Sequence, residues 1–220
     1  KDEHALLVQD SIFYNTTAKK LGGAICVISP KGNSNRPIEI KNCSFDSCKN
    51  SDTSVDCNGG AVYFSSSEVL RCFNVLHSNF TSCHSNSYGG SIYFNSVLGN
   101  IRDCTFVDNT AKKGGFDIFY EDGSTDSTTE KLAIFKNIFH HEKVDELNSQ
   151  SSLIYLTFSD VSIFDFDTNQ VFIKNTLTNV RVFGYDLNSA TFKGKITIKN
   201  NCLSPPDKIL YEERNVLESN

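Results

Sequence analysis

The sequence predicts an all-β chain wound into a parallel β-helix, a solenoid of stacked turns, and three observations predict it. Two short elements recur four times in one order, the composition favours strands and bends, and no segment carries a helical 3.6-residue apolar pattern of useful length. Asn, Ser and Thr contribute 22, 26 and 15 of the 220 residues, and Phe contributes 17. Phe, Ile, Val and Thr suit pleated surfaces, whereas Asn and Ser suit tight polar turns.

One repeated element reads Ser11-Ile12-Phe13-Tyr14-Asn15, Cys43-Ser44-Phe45-Asp46-Ser47-Cys48, Ser78-Asn79-Phe80-Thr81-Ser82-Cys83 and Cys104-Thr105-Phe106-Val107-Asp108-Asn109. Each copy is followed by a glycine pair that opens a strand: Gly22-Gly23-Ala24-Ile25, Gly59-Gly60-Ala61-Val62, Gly89-Gly90-Ser91-Ile92 and Gly114-Gly115-Phe116-Asp117. The pairs stand 37, 30 and 25 residues apart. A unit of about 25 residues cannot bury an apolar face alone, but stacked copies can. Equivalent residues then form ladders at roughly 4.8 Å. The expected columns are Ile12, Phe45, Phe80 and Phe106, and Val27, Phe64, Phe94 and Phe119.

The glycine pairs mark corners, where a positive φ or a close backbone approach is needed. Asn15, Cys48, Cys83 and Asn109 share a corner phase. There a buried Asn hydrogen-bonds the bend, and a Cys is a small apolar substitute. Segments 33–58 and 65–78 read as loops leaving the coil. Beyond Gly123 the repeat turns irregular, with a polar loop over 122–130 and a degenerate element at Phe135-Lys136-Asn137-Ile138-Phe139. Strands are expected over 153–158, 161–166, 171–174, 180–185 and 196–199. The coil therefore occupies 1–204, regular over 10–120 and irregular over 121–204. A cap or linker over 205–220 follows, with Pro205-Pro206-Asp207 leading into a short helix over 208–217 that would blunt the open end.

The pairing of Gly-Gly-Ala-[Ile/Leu/Val] with Phe-x-x-Asn resembles the repeat of the chlamydial polymorphic membrane proteins, and similar repeats occur in surface proteins of trichomonads and other protist parasites. Gly22 to Ile25, Gly59 to Val62 and Phe106-Val107-Asp108-Asn109 carry the match, over roughly residues 10 to 140. Ser91 and Phe116 replace Ala, Cys48 and Cys83 replace Asn, and Ile12 replaces Phe. The resemblance implies a right-handed parallel β-helix displayed on a cell surface, often for adhesion.

Charge and composition exclude several classes. With 39% hydrophobic and 21% charged residues the chain can bury a core. The formal net charge of −5, with no basic cluster, argues against nucleic-acid binding, which needs a positive face. No apolar run reaches the roughly 18 residues of a membrane span, and no signal-like segment opens the chain. The opening Lys1-Asp2-Glu3-His4, without Met, fits a mature product or a cut fragment.

Eight cysteines, an even number, suit an oxidised framework. Cys43, Cys48, Cys57, Cys72, Cys83 and Cys104 are the disulfide candidates, since stacked Cα atoms about 5 Å apart fall in the allowed range. Reduced core thiols are the alternative, and zinc is disfavoured because no Cys-x2-Cys pair exists. Three glycosylation sequons begin at Asn15, Asn42 and Asn79. Thiols and sequons together point to an extracellular or cell-surface location.

Glycan cleavage needs paired carboxylates at fixed separation. Asp160, Asp165 and Asp167 are the candidates, but alternating Asp and Phe reads better as a half-exposed strand. Arg102-Asp103 and Arg181 are isolated. His140-His141-Glu142 cannot converge on one ion, because neighbours on a strand point oppositely, and it reads as a solvated loop. No catalytic residue, metal or cofactor is assigned. The reading is a non-enzymatic surface or structural module for adhesion or protein–protein assembly, with a partner protein, self-assembly or glycans as ligands. Tyr63 and Tyr93 mark a candidate interface. The alternative is a polysaccharide-binding or polysaccharide-degrading β-helix.

Overall fold

The structure is a computed structural model that describes residues 5–29, 36–53, 57–66, 72–122, 130–143, 151–158, 163–174, 177, 180–187, 195–204 and 212–214. Among the described residues every regular element is a strand, and the strands pair in parallel, each with its counterpart one turn on. The fold is a parallel β-solenoid whose turns visit four sheets in a constant order.

The first sheet stacks Leu6–Gln9, Ile38–Lys41, Cys72–Leu76, Leu98–Arg102, Glu130–Phe135, Ile163–Asp167 and Lys195–Lys199. The second stacks Ile12–Tyr14, Ser44–Asp46, Asn79–Thr81, Thr105–Val107, Ile138–His141, Gln170–Ile173 and Cys202–Ser204. A third, of four two-residue strands, runs from Thr17–Ala18 through Lys49–Asn50 and His84–Ser85 to Thr110–Ala111. The fourth stacks Ile25–Ser29, Val62–Ser66, Ile92–Asn95, Ile118–Glu121, Ser152–Phe158, Arg181–Leu187 and Glu212–Arg214. Ile38–Lys41 and Cys72–Leu76 lie in stretches expected to be loops. Their alternation, Ile38-x-Ile40 and Phe73-x-Val75, spans only three residues and is masked by polar neighbours.

Strand alternation sends one face inward. In the second sheet the inward column is Phe13, Phe45, Phe80, Phe106 and Phe139, then Val171 and Leu203. The rings stack nearly parallel, with centroids 4.8, 4.7, 5.1 and 5.0 Å apart. This corrects the expected column: Phe13, not Ile12, is its first member, and Ile12 is 80% exposed. In consequence Thr16, not Asn15, shares the phase of Cys48, Cys83 and Asn109. Each buried Phe contributes about 1.5–3 kcal/mol by leaving water.

The fourth sheet needs a second correction. Its inward column is Val27, Phe64, Phe94, Tyr120, Leu156 and Tyr185, with Phe119 on the opposite face. The glycines in register are Gly22, Gly59, Gly89 and Gly115, with φ from +55° to +69°. Gly114 lies one residue earlier, bridged to Tyr88, so the fourth pair is shifted by one. Phe116 occupies the column of Gly23, Gly60 and Gly90. A Cβ at Gly60 would stand 2.0 Å from the Gly90 oxygen and 2.6 Å from the His84 oxygen, a third-sheet backbone atom. Beyond Thr110–Ala111 the third sheet has no further strand among the described residues, and there a buried Phe116 ring is accommodated.

At the chain's end Glu212–Arg214 pairs with Gly184 to Asp186 as a strand, where a helix was expected; the rest of 205–220 lies outside the described residues, as do most of the 122–130 loop and Asp160. No helix of the described residues is long and apolar enough to cross a membrane.

Candidate functional site

The corners between sheets are built from left-handed residues. Asp10, Asn42, His77, Asp103, Lys136, Thr168 and Asn200 turn the chain from the first sheet to the second, and Asn15, Ser47, Ser82 and Asp108 turn it toward the third. From the second turn on, the residue after each points inward and ties successive turns together. Cys104 N–H donates to Asn137 Oδ1, Asn137 N–H to Asn169 Oδ1 and Asn169 N–H to Asn201 Oδ1, each at 2.8 Å. Cys83 N–H donates likewise to Asn109 Oδ1 at 2.8 Å.

The same ladders explain the cysteines. All eight are free thiols, so none of the expected disulfides is present. Cys43, Cys48, Cys83 and Cys104 donate S–H to carbonyls of the preceding turn, at Val8, Phe13, Phe45 and Val75, as the asparagine amides do. The neighbouring Cys83 thiol lowers the pKa of Cys48, and burial raises that of Cys83. Burial likewise pushes the Cys104 thiol up to about 12. Cys57 is buried and Cys72 half-buried.

The three sequon asparagines, Asn15, Asn42 and Asn79, are all exposed on corners or outward strand faces. Tyr63 and Tyr93 stack at 5.2 Å on the outer face of the fourth sheet, and the stack continues through Phe119 and Tyr155 at 5.1 and 5.5 Å. Tyr93 is only 5% exposed, so the open surface of that ladder lies at half-buried Tyr63. The Tyr93 hydroxyl donates to Glu121, and that of Tyr155 to Asp186 at 2.8 Å.

Of the carboxylates singled out, Asp165 and Asp167 lie half-buried on the outer face of the first sheet. Hydrogen bonds from Asn200 and Thr168, with Lys199 at 3.5 Å, hold the Asp167 carboxyl below its ordinary range. His140 and His141 do point oppositely, but on a strand rather than in a solvated loop. His140 meets Glu142 at 3.1 Å, whereas His141 is fully buried, with Nε2 at 2.9 Å from Asp117 Oδ2. Asn109 Nδ2 completes that core cluster, 2.9 Å from Asp117 Oδ1. Sequence reading missed it, because an inward His and Asp 24 residues apart leave no local signal.

A shallow polar recess of about 250 Å³ lies where the second and third sheets meet, lined by Ser82, His84, Asp108, Thr110 and Lys143. It opens where the third sheet ends. Asp108 Oδ1 accepts the Glu142 and Lys143 N–H groups at 2.7 and 3.0 Å and so fixes the wall beyond that step. His84 lies between Thr110 Oγ1 at 2.9 Å from Nδ1 and Asn86 Oδ1 at 3.3 Å from Nε2. No group of three metal-ligating side chains occurs among the described residues. No protein-family model, curated protein or solved structure matches the chain.

Proposed function

We propose that the chain is a non-enzymatic display module that assembles with a second copy of itself through its first turn. One observation carries this reading. Leu7, Ile12, Tyr14 and Ile28 face outward on three sheets of the first turn and are exposed by 41%, 80%, 71% and 64%. One turn further, the same outward positions hold Glu39, Ser44, Asp46 and Ser65. Together Leu7, Ile12, Tyr14 and Ile28 form a denser apolar patch than Ile138, Phe172 and Ile196 farther along the coil, and a patch of this kind marks an interface.

Farther along the coil the same outward positions are polar, as at Glu39, Ser44 and Asp46, so the surface of this chain that matches the apolar rim is the first turn of a second copy. Two first turns brought together by a two-fold axis match apolar rim to apolar rim, the commonest symmetry of soluble oligomers. The tetrapeptide resemblance to chlamydial and trichomonad surface proteins supports a right-handed coil displayed outside the cell, and the exposed sequons are consistent with that placement.

Sedimentation over a concentration series tests the assembly. The wild-type chain is expected to pass from monomer to dimer, and the variant Ile12→Ser/Tyr14→Ser/Ile28→Ser to remain monomeric with an unchanged β signature. A wild-type monomer at every concentration contradicts the reading.

A further inference from the structure

We infer that the recess at the end of the third sheet binds one sugar unit of a neutral oligosaccharide, with the neighbouring aromatic pair of the second sheet supporting the next unit. The site lies on the flank of the solenoid, so this inference stands apart from the assembly reading.

The recess is small. Its 250 Å³ falls below the roughly 300 Å³ at which drug-sized pockets begin, which suits a single ring rather than a larger ligand. Its lining alternates donors and acceptors. Asn86 Oδ1 can only accept, so His84 Nε2 carries the ring proton and Nδ1 accepts the Thr110 hydroxyl proton. The Thr110 oxygen is left as an acceptor. Asp108 spends Oδ1 on two backbone N–H groups, leaving Oδ2 as a second acceptor. Ser82 Oγ both donates and accepts, and the Lys143 ammonium donates. Sugar hydroxyls are themselves donor and acceptor at once and pair with a mixed set of this kind. The carboxylate and the ammonium oppose each other in charge, which favours a neutral ligand over an anionic one.

The second half of the site is apolar. His140 is the neighbour of Val107 in the next turn, one residue before the position of Asp108. Its ring packs on Phe172 at 4.6 Å, and Phe172 is 38% exposed on the outward face. Recess and aromatic pair therefore follow one another along the solenoid axis. A linear oligosaccharide lying along that axis sets hydroxyls into the recess and the C–H face of the next ring against Phe172.

The test is titration of the full 220-residue chain by NMR with cellohexaose, mannohexaose and chitohexaose, and with a heparin-derived hexasaccharide as the anionic arm. Millimolar or tighter binding of at least one neutral probe is expected, with shifts centred on His84, Thr110 and His140. His84→Ala and Phe172→Ala, both at partly exposed positions, are each expected to weaken it roughly fivefold to tenfold, at 1.4 kcal/mol per tenfold. Retained amide dispersion in the variants separates loss of binding from loss of fold. No shift with any neutral probe overturns the inference. So does neutral binding untouched by both substitutions, or binding of the heparin probe alone, abolished by Lys143→Ala.

Discussion

At Asn137 the carboxamide accepts the Cys104 N–H at 2.8 Å and donates to the Ile101 carbonyl at 3.0 Å, so one side chain satisfies two buried groups of the preceding turn. Replacing it by Ala orphans both, and Asn137→Ala is expected to lower stability by about 2–3 kcal/mol in urea denaturation. Cys104→Asn, which puts at Cys104 the residue already found at Asn137, Asn169 and Asn201, is expected to stay within about 1 kcal/mol of wild type. Cys104 also sets a pH dependence. Its folded-state thiol titrates at about 12 against an ordinary 9.0, because burial disfavours the thiolate. The unfolded chain therefore gives up that proton first, so the stability this group contributes is whole below about pH 9 and is lost as the pH rises toward 12. Denaturation midpoints across that window should fall more steeply for wild type than for Cys104→Asn. Free thiols themselves are directly countable: Ellman titration in denaturant without reductant should find eight per chain.

Strands and corners differ in how far they could be read ahead. The repeated Phe and the glycine pairs identified the second and fourth sheets, because each recurs with a recognisable neighbour. The first sheet escaped notice over 38–41 and 72–76, where a strand of four or five residues offers only two inward side chains. Register failed by one residue at both ends of the regular coil. Ser11 to Asn15 offers Ile12 and Phe13 as equally apolar candidates, and only the left-handed corner at Asn15, matched to Ser47, decides for Phe13. At Gly114-Gly115 the fourth pair looked intact, but Phe116 had taken the place of a second glycine where the third sheet ends. The polar recess was not legible at all, since Ser82, Thr110 and Lys143 meet only through stacking. The corrected register predicts unequal costs: Phe80→Ala should lower stability by about 3–5 kcal/mol, while Ile12→Ala should change it by less than about 0.5 kcal/mol. Gly60→Ala, whose methyl would meet backbone oxygens on two sides, should cost about 3 kcal/mol or more.

Across the whole molecule, each turn contacts the next, and stability accumulates along the axis as in other solenoids. That architecture leaves long flanks of outward side chains, and both proposed roles rest on those surfaces rather than on an enclosed cavity. All of it rests on turns stacked in register. The most direct test is an amide–amide NOESY spectrum of deuterated, ¹⁵N-labelled protein. Cross-peaks linking Phe45 with Phe80, Phe80 with Phe106, and Gly89 with both Gly59 and Gly115 are predicted, since stacked strands lie about 4.8 Å apart. A spectrum that lacks these contacts, or that pairs the same strands antiparallel, would contradict the stacked-turn account.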